Sequence, residues 1–186
     1  MAGTHASAKA RLHALCVLDG LDRLSVTLLK SAFRDPHPAI RRHALRLAES
    51  RWNGDPELLK ESVRLADDPN AAVRLQAACS WGESKSAEAG RALARVAIRD
   101  AGNQYIRAAV FSSAEPHFDR LAQAALEHGV LIDDVLKLGA RGKTSLGGLL
   151  AGLMKPGKGG YEPEQFRSLG GWLNHNPKVS PEMIKV

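Results

Sequence analysis

The chain writes one sentence four times. From Asp35 it reads DPHPAIRRHALRLAE, and from Asp68 it reads DPNAAVRLQAACSWGE. Placing Arg41 over Arg74 aligns Ile40 with Val73 and Ala44 with Ala77. A further step of the same length reaches Arg107, with Ile106 before it and Val110 after it. A step back reaches Arg11, where His13-Ala14-Leu15 repeats His43-Ala44-Leu45. A period of roughly 30 residues constrains the fold more than any composition does. A unit of that length cannot bury its own apolar stripe, so successive units must stack on one another.

Each unit reads as a pair of helices. In SVTLLKSAFR, Ser25 is a natural N-cap, and Val26, Leu29 and Phe33 fall on one helical face. Asp35-Pro36-His37-Pro38 makes the turn, with Pro38 suited to a first helical position because it has no N–H to leave unpaired. The second helix runs to about Glu49 with Ile40, Ala44, Leu45 and Leu47 apolar. DPELLKESVRLA, opened by Asp55, and NAAVRLQAACSW, opened by Asn70, form the next unit. SAEAGRALARVAIRD and NQYIRAAVFSSAE form the third. PHFDRLAQAALEHG starts a fourth, and Gly129 is its stop. Ala44, Ala77 and Ala108 are expected where second helices pass closest.

The pattern predicts an all-α, armadillo-type solenoid of stacked helical hairpins winding as a right-handed superhelix. Residues 1–175 are expected to form one repeat domain, regular over about 10–128 and less regular over 130–175, with 176–186 as a loose tail. Arg141 stands as a decayed copy of the repeat arginine, PGKGG (156–160) as a loop, and Phe166, Leu169 and Trp172 or Leu173 as the inner face of a last helix.

Six polar residues recur with the period. Asp35 precedes Arg41, Asp68 precedes Arg74 and Asp100 precedes Arg107 by six or seven residues. An Asp in the turn can cap a helix, and an Arg one turn into the next helix can reach an Asp of the neighbouring unit. These residues are read as a structural ladder.

The remaining candidates are few. Gly142-Lys143-Thr144 imitates the end of a phosphate loop, but Lys137 stands where the first glycine is needed and no strand precedes it. Cys16 and Cys79 occupy equivalent positions two units apart, too far for a disulfide, and are expected to be buried free thiols. The seven histidines contain no helical metal pair, and no cysteine spacing suits zinc. His13 and His43, as repeat equivalents, are read as structural. Ser112 and Ser113 sit in no nucleophile motif, and Asp133-Asp134 is an acidic pair at a helix start. No catalytic, cofactor or metal constellation emerges.

Charge leaves one more surface. The net charge is +6, with 26 basic against 20 acidic residues, and neither half is a basic tail. That balance permits contact with acidic partners without demanding it. Arg42 and Arg46, one turn apart on a second helix, are expected to face the concave side of the solenoid and contact a partner. That partner is a protein or a neighbouring domain; a phosphate backbone is the alternative. Trp52 and Trp81 sit at different places in their units, so they offer no base-stacking platform. No run of about 18 apolar residues implies membrane insertion, and the N-terminus shows no secretory signal pattern.

The motif D-P-x-x-x-[IV]-R-x-x-A resembles HEAT repeats. RLHALCVLDGL, DPHPAIRRHALRLAE, DPNAAVRLQAACSWGE and RDAGNQYIRAAVFSSA, in that order, resemble the helical segment of large bacterial membrane-bound-dehydrogenase-like proteins, in which a propeller precedes the repeats and a c-type haem domain follows. The resemblance covers residues 10–125 well and 126–175 loosely. It implies a non-catalytic scaffold or interaction module within a longer chain. The family's C-x-x-C-H haem motif is absent from this sequence, so haem and dehydrogenase activity carry over to no residue here. Some HEAT-like solenoids bind DNA, including glycosylases that remove alkylated bases, which defines the alternative function.

Overall fold

The computed structural model describes residues 5–131 except 53, together with 134 and 135. It shows an all-α solenoid of stacked helical hairpins, with no strand among the described residues. The elements are α1 (Ala8–Gly20), α2 (Val26–Ala32), α3 (Pro38–Ala48), α4 (Pro56–Ser62), α5 (Ala71–Trp81), α6 (Ala87–Arg99), α7 (Gln104–Ser112) and α8 (Phe118–His128). The readings made for residues 136–186 lie outside the described residues, as does Asp133. The chain divides into two compact units, Met1–His117 and Phe118–Val186.

The first unit has two layers. The second helices α1, α3, α5 and α7 pack side by side, each on the next, while α2 packs on α4 and α4 on α6. Helix starts follow local chemistry. Ser25 Oγ accepts from Leu28 N–H, Asp55 Oδ1 from Leu58 N–H, Asn70 Oδ1 from Ala72 N–H and Ser86 Oγ from Glu88 N–H. Each such cap contributes about 1 kcal/mol by satisfying an orphan amide. In α3 the cap is His37, whose ring Nδ1 accepts from Ala39 N–H, with Pro38 directly behind it. The helix expected across residues 56–66 is α-helical only to Ser62 and continues as a 3-10 segment over Val63–Asp67.

The core is made where the two layers meet. Leu29, Phe33, Ile40, Leu45, Leu58, Val73, Trp81, Leu93, Ile106 and Val110 are fully buried. Both tryptophans of this unit are core residues with their N–H groups used. Trp81 Nε1 donates to Ser62 Oγ at 3.0 Å, and Trp52 Nε1 to the Ser80 carbonyl at 3.4 Å. Ala44 and Ala77 are fully buried where second helices meet. Ala108 is exposed; the equivalent close-packing position of α7 is Val110, three residues after the repeat Arg as in the other units.

Gly82, at the end of α5, is required by contact and not by backbone freedom. A β-carbon there would lie 2.6 Å from Ser113 Cβ and 3.0 Å from its Cα. The ends of α5 and α7 meet at this point, and Ser113 Oγ donates to the Cys79 carbonyl. In the second unit, α8 buries Leu121, Ala122 and Ala125, and Gly129 beyond it has φ +66°, the left-handed conformation that ends helices.

Candidate functional site

The two ends of the second helices carry different charges. At the N-terminal end the recurring arginines and aspartates meet across units. Arg11 grips Asp35 with Nε and Nη2, both at 2.7 Å. Arg41 grips Asp68 at 2.6 and 2.8 Å, and Arg74 grips Asp100 at 2.7 and 2.6 Å. Each is a forked pair, the geometry in which guanidinium and carboxylate match best. The third guanidinium nitrogen turns back to its own unit. Arg41 Nη1 donates to the carbonyls of Asp35 and Pro36, and Arg74 Nη1 to those of Asp68 and Pro69. The carboxylates also cap their own turns: Asp35 Oδ1 accepts from His37 N–H, and Asp68 Oδ1 from Asn70 N–H. Every guanidinium nitrogen and every carboxylate oxygen of a rung thus has a partner inside the protein.

The electrostatics agree. Burial alone would raise the Asp35 carboxyl, but hydrogen bonds from Arg11 and the His37 amide, with their charge, hold it below the ordinary carboxylate range. Hydrogen bonding to Asp100 raises Arg74 above its ordinary value against the opposing effect of burial. Arg107, the fourth repeat arginine, is exposed.

The exposed side of the same helices differs from unit to unit. Arg42 and Arg46 lie exposed on α3, opposite its buried stripe. Their repeat equivalents are neutral: Leu12, Leu75 and Ala108 match Arg42, while Cys16, Cys79 and Ser112 match Arg46. The basic pair is therefore confined to one helix. Both cysteines are free and exposed, not buried as their periodic placement led us to expect. They lie five residues after the repeat arginine, on the side turned away from the core. Although exposed, Cys79 is raised above the ordinary thiol range by desolvation and then by the nearby Glu49 carboxylate.

Between Arg42 and Arg46 sits His43, half-buried, with its ring Nδ1 shielded and unpartnered. Burial, then the charges of Arg42 and Arg46, lower its pKa, which favours the neutral ring.

Arg46 also borders a hollow at the C-terminal ends of these helices. Its volume is about 580 Å³, and Asp19, Leu47, Glu49, Ser50, Arg51 and Glu83 complete its walls. Arg51 Nη2 donates to Asp19 Oδ1 at 2.9 Å. Glu49 Oε1 accepts from Ser80 Oγ at 2.6 Å and from Gln76 Nε2 at 3.4 Å. Glu83 is exposed. Carboxylates at helix C-termini face the negative end of the macrodipole, so helix stability does not explain them. The motif reading missed this hollow. Its signal was present: Asp19 and Glu49 each stand eight residues after a repeat arginine, and Glu83 stands nine after Arg74.

His117 was also missed. It is buried, and its Nε2 lies 3.0 Å from the Trp81 carbonyl, which can only accept, so Nε2 carries the proton. No group of side chains able to hold a metal ion occurs among the described residues, and no described helix is long and apolar enough to cross a membrane.

The comparisons agree with this architecture. Residues 25–115 match the family model of HEAT repeats. No curated protein and no solved structure matches the chain. The repeat match and the hairpin stack together support a HEAT-like repeat protein, and the match suggests a helical scaffold or interaction module.

Proposed function

We propose that the chain is a non-catalytic interaction module that docks a protein partner, or a neighbouring domain of a longer bacterial chain, along the exposed side of its second helices. The observation that carries this reading is the mixed charge around Arg46. One flank holds Arg42, and the other opens into a hollow walled by Glu49, Glu83 and the Asp19–Arg51 pair, where carboxylates outnumber the arginines. A folded protein surface, with charges of both signs, can satisfy such a strip. A phosphate backbone would be attracted at α3 and repelled at the hollow, within reach of the same side chain. The resemblance to the repeat segment of dehydrogenase-like proteins supports a neighbouring domain as the occupant. With Trp52 and Trp81 buried, no described tryptophan offers a face on which an extruded base could stack.

Site-specific photo-crosslinking tests the reading. A crosslinker at position 42 is expected to capture one defined protein partner, and Arg46→Glu is expected to abolish the capture. The control position is Arg91, exposed on α6 in the other layer. Equal labelling from positions 42 and 91 would sink the proposal.

A further inference from the structure

The rows that run across the exposed side of the second helices are unequal in kind. Arg42 on α3 lies in one row with Leu75 on α5 and Ala108 on α7, each the residue after a repeat arginine. One turn before Ala108, on the same face of α7, stands Tyr105. Arg42 and Leu75 stand inside the stack, since α3 packs between α1 and α5, and α5 between α3 and α7. No carboxylate interrupts the row.

Two of these side chains have no internal reason for their place. Arg42 makes no ion pair and no side-chain hydrogen bond among the described residues, whereas Arg34, Arg64, Arg91 and Arg95, also exposed, each reach a carboxylate. Tyr105 is 70% exposed, while the rings of Phe33, Trp52 and Trp81 are buried. Its repeat equivalents are Ala39 and Ala72, so the repeat does not call for a ring there. An exposed aromatic side chain and an uncompensated arginine are the two kinds of residue that anchor protein interfaces most often.

Resting on the docking face proposed above, we infer the chemistry of what docks: an extended segment of the partner in which a carboxylate is followed by two apolar side chains. Packed helices stand about 8–10 Å apart, and an extended chain advances roughly 3.3 Å per residue. A carboxylate on Arg42 therefore puts the residue about three further on over Leu75, and the residue about three beyond that beside Tyr105. This path slants towards the N-terminal ends of the helices, away from the carboxylates of the hollow. A polyanion gains only on α3, because the row offers it no cation on α5 or α7. Residues 136–186 carry eight Lys and Arg against three Asp and Glu, so charge favours an acidic segment from elsewhere over that part of the chain.

A fluorescein-labelled peptide, Gly-Glu-Glu-Ser-Ser-Leu-Ser-Ser-Phe-Gly, titrated with the full chain in physiological salt, tests this by anisotropy. Saturable binding with a Kd on the order of 100 μM is expected. Arg42→Glu should weaken it at least ~10-fold and Tyr105→Ala about fivefold, with thermal unfolding unchanged because both side chains are exposed. The same peptide with both glutamates replaced by lysine should not bind. Absence of saturable binding overturns the inference, and that is also what occupation of the row by residues 136–186 would give. Binding indifferent to the Arg42 and Tyr105 changes, or displacement of the peptide by a DNA duplex at the same salt, overturns it as well. Capture of a protein from position 42 while the peptide fails would sink the segment chemistry and leave the docking reading standing; loss of both would sink the reading itself.

Discussion

The same four helices are conservative at one end and inventive at the other. At their N-terminal ends, three units repeat one forked ion pair with nearly identical distances and buried carboxylates. At their C-terminal ends the charges are less buried, carboxylates recur at Asp19, Glu49 and Glu83 while the basic residues do not, and Arg51–Asp19 is an ion pair that no other unit repeats among the described residues. Repetition of a buried forked pair marks what the stack needs in order to hold together. Variation on an exposed surface, with carboxylates placed where helix stability disfavours them, marks what the stack is free to spend on contact with something else.

The contrast breaks most visibly if a rung is opened. Asp100→Ala leaves the Arg74 guanidinium, largely buried in its groove, without its forked partner, and a cost of about 3 kcal/mol is expected by urea denaturation. The paired change Arg74→Met, Asp100→Leu should cost much less, since it removes both charges together. Similar losses for both variants would contradict a buried rung.

Gly82→Ala sharpens the comparison at the opposite end. Its new methyl group meets Ser113 backbone and side chain, and overpacking of this kind costs about 1–3 kcal/mol. Adding Ser113→Gly should recover part of it. A Gly82→Ala protein as stable as the parent would show that α5 and α7 can separate at their ends.

A smaller effect is expected from pH. His43 has a pKa lowered in the folded chain, so the unfolded chain binds the proton more readily. Its share of stability is complete above the ordinary histidine value, about 6.5, and is lost as pH falls below it. Asp35 is also lowered, but its contribution is complete above the ordinary aspartate value and fails only in stronger acid. The two windows are therefore separate. His43→Gln should flatten the loss between about pH 7 and 5 and leave the acid limb alone; an unchanged profile would remove His43 from the account.

Least of all should stability respond to Arg42→Glu, Arg46→Glu, with a change within about 0.5 kcal/mol, because both side chains are exposed and away from the rungs. A larger loss in the same denaturation experiment would make them part of the scaffold.

The legibility of the sequence follows the same division. Period alone named the arginines and aspartates that the structure joins, because a rung is made of residues at fixed offsets. It also placed Ser25, Asp55 and Asn70 as caps, since capping is local chemistry. Where one residue of register decides burial, the reading slipped. Ala108 is small and sits next to Arg107, yet Val110 occupies the packed position. Cys16 and Cys79 share a repeat position, yet that position faces outward. Contacts between distant segments left no local trace at all: Gly82 against Ser113, and His117 against the Trp81 carbonyl. The hollow was hidden because its residues come from three helix ends, and the carboxylates at 19, 49 and 83, although they follow the period, lie outside the motif that was read from it.

The most direct test of the account concerns the mixed charge beside Arg46. It is the fluorescence anisotropy of a labelled DNA duplex titrated with the chain at low and at physiological salt. The account predicts no binding, or binding confined to low salt, since the carboxylates of the hollow oppose a polyanion and the net charge of +6 supplies only a screened, general attraction. Micromolar binding that persists at physiological salt and disappears in Arg42→Glu, Arg46→Glu would contradict it. The exposed side of the second helices would then be a nucleic-acid surface.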